Sequence, residues 1–269
     1  AIFTSGYCNQ CELDRSGRGT QCNRKKEMPK RSSLDGNILG GGLSEYLVIP
    51  AWQIIRMPHD VDMRHAALTE PLACCIHSIR KARLKFGDTV VIIGMGIMGY
   101  FHVKLAQMCG ARIIVSETDE EKRKTAIREG AAYAFDPRQC DVGEEIRRLT
   151  DGLGADAVIN TMPFKKVWQQ AIDMLAPYGR LIAYSSQNSK EPIGVDFGMV
   201  HSREIEFIGT LNPTIEDNQM AVKLIGYQMI DMEKVIDREF SFAQGKEAFD
   251  YACKPGVYRV MINYGKEDN

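Results

Sequence analysis

Cys8, Cys11, Asp14 and Cys22 fall within a window of fifteen residues near the start of the chain. Thiolate and carboxylate are ordinary zinc ligands, and four protein donors in a tetrahedron leave no open coordination position. The spacing therefore predicts a closed structural zinc site that staples a loop. A second constellation is Gly94-Met95-Gly96-Ile97-Met98-Gly99, which follows a β-branched run ending at Ile93. It opens a run of apolar residues at helical spacing: Ile97, Phe101, Leu105 and Met108. In a strand–turn–helix, Gly94 permits the tight turn, Gly96 lets a pyrophosphate approach the backbone, and Gly99 lets helix and strand pack closely. The helix start at Ile97 and Met98 supplies free N–H groups and partial positive charge for phosphate. Glu117 ends the next strand, where an acidic side chain accepts the hydroxyls of a ribose. Asp119 adds negative charge and no arginine stands immediately beside Glu117, which predicts NAD over NADP. Lys122 and Arg123, one helical turn on, pull the other way. Another adenine ligand on a Rossmann-like turn, such as S-adenosylmethionine, is the competing reading.

Strands and helices must alternate to position these residues. Strand runs are predicted at 88–93, 112–116, 156–160, 180–184 and 205–209. Helices are predicted over 97–109, 119–130, 141–150, 165–176 and 214–230, and the tail returns to short strands such as 258–262. Pro177-Tyr178-Gly179 reads as a turn, and residues 23–42, ending in Gly40-Gly41-Gly42, read as loop. This alternation predicts an α/β fold, a doubly wound parallel sheet with helices on both faces. Isolated histidines (His59, His65, His77, His102 and His201) read as satisfied core residues, and Cys74-Cys75 as apolar packing.

The chain has 269 residues, about two domains' worth, with 44% hydrophobic and 26% charged residues. Its formal net charge of −1 gives no electrostatic reason to expect nucleic acid or an anionic membrane as partner. No apolar run reaches the ~20 residues of a membrane span. Ala1-Ile2-Phe3-Thr4 lacks the features of a signal peptide. Scattered cysteines suggest reduced thiols and a cytoplasmic location. The chain opens without Met in a cysteine-rich loop, from which an absent upstream segment is expected.

Together these elements resemble the zinc-dependent medium-chain alcohol/polyol dehydrogenases, particularly the sorbitol, threonine and butanediol dehydrogenase branch. The cysteine window is similar to that family's structural-zinc lobe, with Asp14 at its third cysteine position and Arg15-Ser16-Gly17-Arg18 fitting the surrounding text. Gly41-Gly42-Leu43-Ser44-Glu45-Tyr46-Leu47-Val48-Ile49-Pro50, Ala66-Ala67-Leu68-Thr69-Glu70-Pro71-Leu72-Ala73 and Asp151-Gly152-Leu153-Gly154-Ala155-Asp156 resemble three further family segments, in order.

The resemblance implies a Rossmann domain at 71–212 joined to part of a GroES-like β-rich catalytic domain, residues 1–70 and 213–269. It implies Glu70 as a ligand of a catalytic zinc, Lys122 near the adenosine ribose, and Tyr184 and Thr210 on the nicotinamide side. The family's other catalytic-zinc ligands and its proton relay would lie upstream of Ala1, so the chain as given is expected to be catalytically incomplete. In the intact protein, zinc would lower the pKa of a secondary alcohol or polyol, which then passes hydride to NAD. A homodimer or homotetramer is implied in the same way. Two alternatives stay open: a zinc-independent enone or quinone reductase, and a non-catalytic dinucleotide-binding protein.

Overall fold

The computed structural model describes residues 1–2, 8, 10–15, 18–22, 24, 43, 46–186 and 191–265. The segments 23–42 and 41–50, and the Arg15–Arg18 text, therefore lie wholly or partly outside the described residues. The chain divides into two compact units, Ala1–Cys74 with Asn212–Asn269, and Cys75–Leu211.

The helices α1 (Glu12–Arg15) and α2 (Met63–Ala66) belong to the first unit, and α3 (Thr69–Ala82) carries the chain from it into the second. The second unit then runs β1 (Thr89–Ile93), α4 (Ile97–Met108), β2 (Arg112–Ser116), α5 (Glu120–Arg128), β3 (Tyr133–Phe135) and α6 (Val142–Leu149). It continues through β4 (Ala155–Asn160), α7 (Lys165–Asp173), β5 (Leu175–Ala183), α8 (Phe197–Arg203) and β6 (Glu206–Gly209). Among the described residues these strands form one six-stranded parallel sheet in the order β3-β2-β1-β4-β5-β6. The order reverses at β1, where ligands of such sheets bind beyond the carboxyl ends of the strands.

Burial explains the sequence pattern. All five residues of β1 are buried, as expected of a central strand covered on both faces. Val91, Ile93, Ile114, Val158 and Leu181 pack with Val142 and Ile146 of α6 and Trp168, Ala171 and Ile172 of α7. Alternate residues such as Val90, Ile92, Ile113 and Ile159 are equally buried and point the other way. Asp119 and Asp141 accept hydrogen bonds from the Lys122 and Glu144 N–H groups and so start α5 and α6. At the amino-terminal end of the sheet, the buried Arg180 guanidinium donates to Asp88 at 2.7 Å and to the Ala82 and Arg83 carbonyls at 2.6 and 2.8 Å.

The first unit resumes with α9 (Ile215–Gly226), β7 (Arg238–Ser241), α10 (Gly245–Ala252) and β8 (Val260–Asn263), with β7 and β8 paired in parallel. Two boundaries differ from those predicted. The helix expected over 165–176 ends at Asp173, because Leu175 pairs with Ala155 and draws the following residues into β5. Pro177-Tyr178-Gly179 then lies inside that strand as an irregularity, with Tyr178 at φ +61°. The helix expected over 214–230 stops at Gly226, where the Met229 N–H returns to the Leu224 carbonyl and Gln228 turns left-handed.

Candidate functional site: a dinucleotide edge and a metal lobe

Register sets Phe135, Ser116, Ile93, Asn160, Ala183 and Gly209 side by side across the sheet. The next residue on each strand (Asp136, Glu117, Gly94, Thr161, Tyr184 and Thr210) forms one rank along the carboxyl edge. Four members of that rank, Glu117, Gly94, Tyr184 and Thr210, are residues the sequence singles out. Asp136 and Thr161 are not.

The glycine turn has the shape its sequence demands. Gly94 sits at φ +93°, and a Cβ there would lie 2.7 Å from Thr161 Oγ1. A Cβ on Gly99 would lie 2.1 Å from the Gly94 carbonyl oxygen, so α4 and the turn touch backbone to backbone. A Cβ on Gly96 would meet nothing within 4 Å, which leaves open space at the start of α4. Gly96 is also the N-cap and offers no side-chain cap, so the first N–H groups at Ile97 and Met98 are left for an external anion.

Glu117 is bonded to the glycine turn. Its Oε2 accepts the Met95 N–H at 2.7 Å, and its Oε1 accepts the Asp119 N–H at 2.8 Å and the Thr118 hydroxyl at 3.2 Å. The Lys122 backbone N–H caps onto Asp119 one turn along α5. Arg138, distant in sequence, brings its guanidinium to the Thr118 carbonyl. The absence of arginine immediately beside Glu117 in sequence therefore does not hold in space.

Tyr184 and Thr210 follow β5 and β6. The Tyr184 hydroxyl donates to Met98 Sδ at 3.1 Å and lies 3.7 Å from Cys75 Sγ, and its ring meets His102 edge-on at 4.7 Å. His102 is fully buried, with Nδ1 2.7 Å from the Met98 carbonyl and Nε2 2.9 Å from Ser78 Oγ. A carbonyl only accepts, so Nδ1 carries the proton and Nε2 accepts from the serine hydroxyl. Of the five histidines read as core, His102 is the one fully buried; His59 and His201 are exposed. His59 pairs with Arg56 and His65 with Glu233 because polar partners at the surface satisfy them there.

Burial lowers the His102 pKa from 6.5 to about 4. Between these values the unfolded chain binds the proton and the folded chain does not, so stability falls as pH drops through that window. The expected loss is roughly 3 kcal/mol across it. Urea unfolding at a series of pH values checks this: His102→Gln should flatten the dependence, and an unchanged slope in that variant would refute the assignment.

The four candidate metal donors also come together. One donor atom each from Cys8, Cys11, Asp14 and Cys22 lies within 4.8 Å of every other. The Cys11 and Cys22 sulfurs are 3.8 Å apart. A tetrahedral zinc at ~2.3 Å from each sulfur separates two sulfurs by about 3.8 Å, so the donors fit that ion. The Asp14 N–H donates to Cys11 Sγ at 3.4 Å and the Cys11 N–H to Cys8 Sγ at 3.3 Å, the pattern of a loop wrapped round a centre. Without a cation, a hydrogen bond to Asp14 and then burial push the Cys8 thiol up to about 11.

Glu70 stands in the first turn of α3, where its carboxylate accepts the Cys74 thiol at 3.4 Å. Among the described residues it joins no group of three potential metal ligands. The one other such group is Asp62, His65 and Glu233, where the Arg64 guanidinium bridges both carboxylates at 2.6 and 2.7 Å. That cluster is a network of ion pairs with its own cation.

A parallel sheet that reverses order beside a glycine turn, with an acidic residue on the neighbouring strand, defines a dinucleotide-binding α/β protein. The family of zinc-binding dehydrogenases matches over residues 94–226. Sorbitol dehydrogenase of Halalkalibacterium halodurans is 28% identical over 262 residues, covering 96% of this chain and 74% of that protein. L-threonine 3-dehydrogenase of Pyrococcus horikoshii is 26% identical over 268 residues, covering 97% and 74%. An NADP-bound structure described as a zinc-binding dehydrogenase, from Sinorhizobium meliloti 1021, is 25% identical with a TM-score of 0.84, covering 96% and 74%. Residues 94–226 are thus similar to the zinc-binding dehydrogenases, and the chain spans about three quarters of the length of these relatives.

Proposed function

We propose that this chain is the cofactor-binding and structural-zinc portion of an oxidoreductase that moves hydride between a secondary alcohol or polyol and NAD. The observation that carries the reading is the bonded pair of glycine turn and Glu117, at the point where the strand order reverses. Gly94, Gly96, Ile97, Met98 and Gly99 would receive the pyrophosphate at the uncapped start of α4. The Glu117 carboxylate would accept the ribose hydroxyls, with Lys122 beside it. Tyr184 and Thr210, on the same edge, would face the nicotinamide, which when bound supplies the hydride acceptor. Cys8, Cys11, Asp14 and Cys22 would hold a structural zinc. Glu70 as found does not assemble a second zinc site among the described residues, and no step is derived through one.

The substrate class follows from relatives named for polyols and hydroxy amino acids. A GroES-like catalytic domain for the first unit and a homodimer or homotetramer rest on the family resemblance. Free cysteines throughout the chain support a reducing compartment such as the cytoplasm. Among the described residues no helix is long and apolar enough to cross a membrane.

Titration with NADH and with NADPH, followed by nicotinamide fluorescence, tests the cofactor assignment. NADH is expected to bind more tightly, because a 2′-phosphate would meet the carboxylates of Glu117 and Asp119. Tighter NADPH would overturn that choice, and no binding of either would overturn the function.

A further inference from the structure

We infer that Arg123, Asp136 and Arg138 form a clamp that positions the loop Glu117–Asp119 for a ribose, so that recognition of the ribose hydroxyls depends on an ion cluster behind the loop. The inference rests on the dinucleotide reading of this edge.

Asp136 is the first residue after β3, and its side chain is only 3% exposed. Arg138 grips it with two donors, Nε to Oδ1 at 2.9 Å and Nη2 to Oδ2 at 2.7 Å, and its N–H reaches Oδ1 at 3.0 Å. Arg123 of α5 reaches Oδ2 at 3.2 Å. Both guanidiniums then turn to the same target. Arg123 Nη1 donates to the Glu117 and Thr118 carbonyls at 2.9 and 2.7 Å, and Arg138 Nη2 donates to the Thr118 carbonyl. The Glu117 N–H donates to the Phe135 carbonyl at 3.0 Å.

The loop is thus fixed on two sides. Its carbonyls are held by the clamp, while the Glu117 carboxylate is held by the Met95 and Asp119 N–H groups. Fixing the peptide planes on either side of Thr118 leaves Glu117 little freedom to swing off the glycine turn. Pre-ordering of this kind strengthens binding by removing an entropic cost that a loose loop would bear on binding. Two guanidiniums against one carboxylate leave the cluster with one excess positive charge, facing Glu117 and Asp119.

The test compares NADH with its 2′-deoxyadenosine analogue, by fluorescence titration of the wild-type chain and of Asp136→Asn, Arg138→Gln and Glu117→Gln. Wild type should prefer NADH by about tenfold, the worth of one hydrogen bond to a charged group. All three variants should bind the two ligands almost alike. Loss of a charge near the pyrophosphate would weaken both ligands equally, so the ratio reports positioning and not net charge or general destabilisation. Arg138 is largely exposed, so Arg138→Gln should keep the wild-type melting temperature even where Asp136→Asn lowers it. A ratio preserved in Arg138→Gln and Asp136→Asn would overturn the clamp. Amide hydrogen exchange of the free protein gives a second reading that needs no ligand. The Thr118 and Asp119 amides should exchange faster in both clamp variants, and unchanged exchange would overturn the inference. Failure of wild type to bind either dinucleotide would instead strike the functional reading, with the exchange result still deciding the clamp.

Discussion

Gly99→Ala should abolish saturable NADH binding and lower the melting temperature, whereas Gly96→Ala should keep the fold and weaken NADH alone. The two glycines lie three residues apart in one motif, yet their surroundings are opposite. A methyl group on Gly99 would overlap the Gly94 carbonyl oxygen, at 2.1 Å. That oxygen is backbone and cannot swing aside, so α4 must move away from the turn that follows β1. Overpacking a tight site costs ~1–3 kcal/mol, and displacing a helix start from its strand belongs at the upper end. The same displacement separates the Ile97 and Met98 N–H groups from the turn that should aim them. Gly96 has nothing within 4 Å of a built Cβ, so alanine there is tolerated by the protein and intrudes only on the space a pyrophosphate needs. Thermal melts and NADH titrations of both variants separate the effects. Wild-type NADH affinity in Gly99→Ala would contradict the assignment of this turn.

The second large effect concerns the metal lobe. The protein purified in the presence of zinc should carry about one tightly held ion per chain, and Cys22→Ser should lose it. Cys22 is the buried member of the donor set and the last in sequence, so its removal opens the loop that Cys8 and Cys11 begin. Asp14→Cys should keep the ion and bind it more tightly, because a fourth thiolate suits zinc at least as well as a carboxylate. The metal-free lobe holds Cys8 as a thiol with its pKa near 11, so zinc uptake must release protons and should strengthen as pH rises. Elemental analysis after dialysis measures the first two outcomes, and competition with a chromogenic chelator at several pH values measures the third. Zinc retained in full by Cys22→Ser would show that the lobe does not hold it.

Local geometry is legible in the sequence, and long-range pairing is not. The turn from Gly94 to Gly99 lies within six residues, and each glycine has its reason within or beside that stretch. Cys8, Cys11, Asp14 and Cys22 were readable for the same reason: the loop that gathers them is short. Glu117 was placed by its distance from the turn, a spacing set by one helix and one strand. Asp136 gave no such signal. It follows the three-residue edge strand β3, whose outer end is exposed, and its partners lie 13 residues before it and two after it. Arg138 reaches a carbonyl 20 residues back. Such contacts exist only once β3 has paired with β2. The start of β5 reads as helix in the sequence because Leu175 and Ala176 are good helix formers, and pairing with β4 overrides that preference.

Because each member of the rank from Asp136 to Thr210 is the first residue past its strand, hydrogen-bond register assigns its address. Exchanging a member keeps the backbone register; Gly94, packed against Thr161, and Asp136, tied through Arg123 to the Glu117 loop, also hold their neighbours in place. Removing one residue from β4 would do something different: Met162 would slide into the position of Thr161, and side chains along the strand would swap faces. The edge can therefore drift chemically by substitution while staying closed to small insertions and deletions. Variation in ligand among chains built on this sheet should be sought in the identity of those six residues and not in the lengths of the strands that present them.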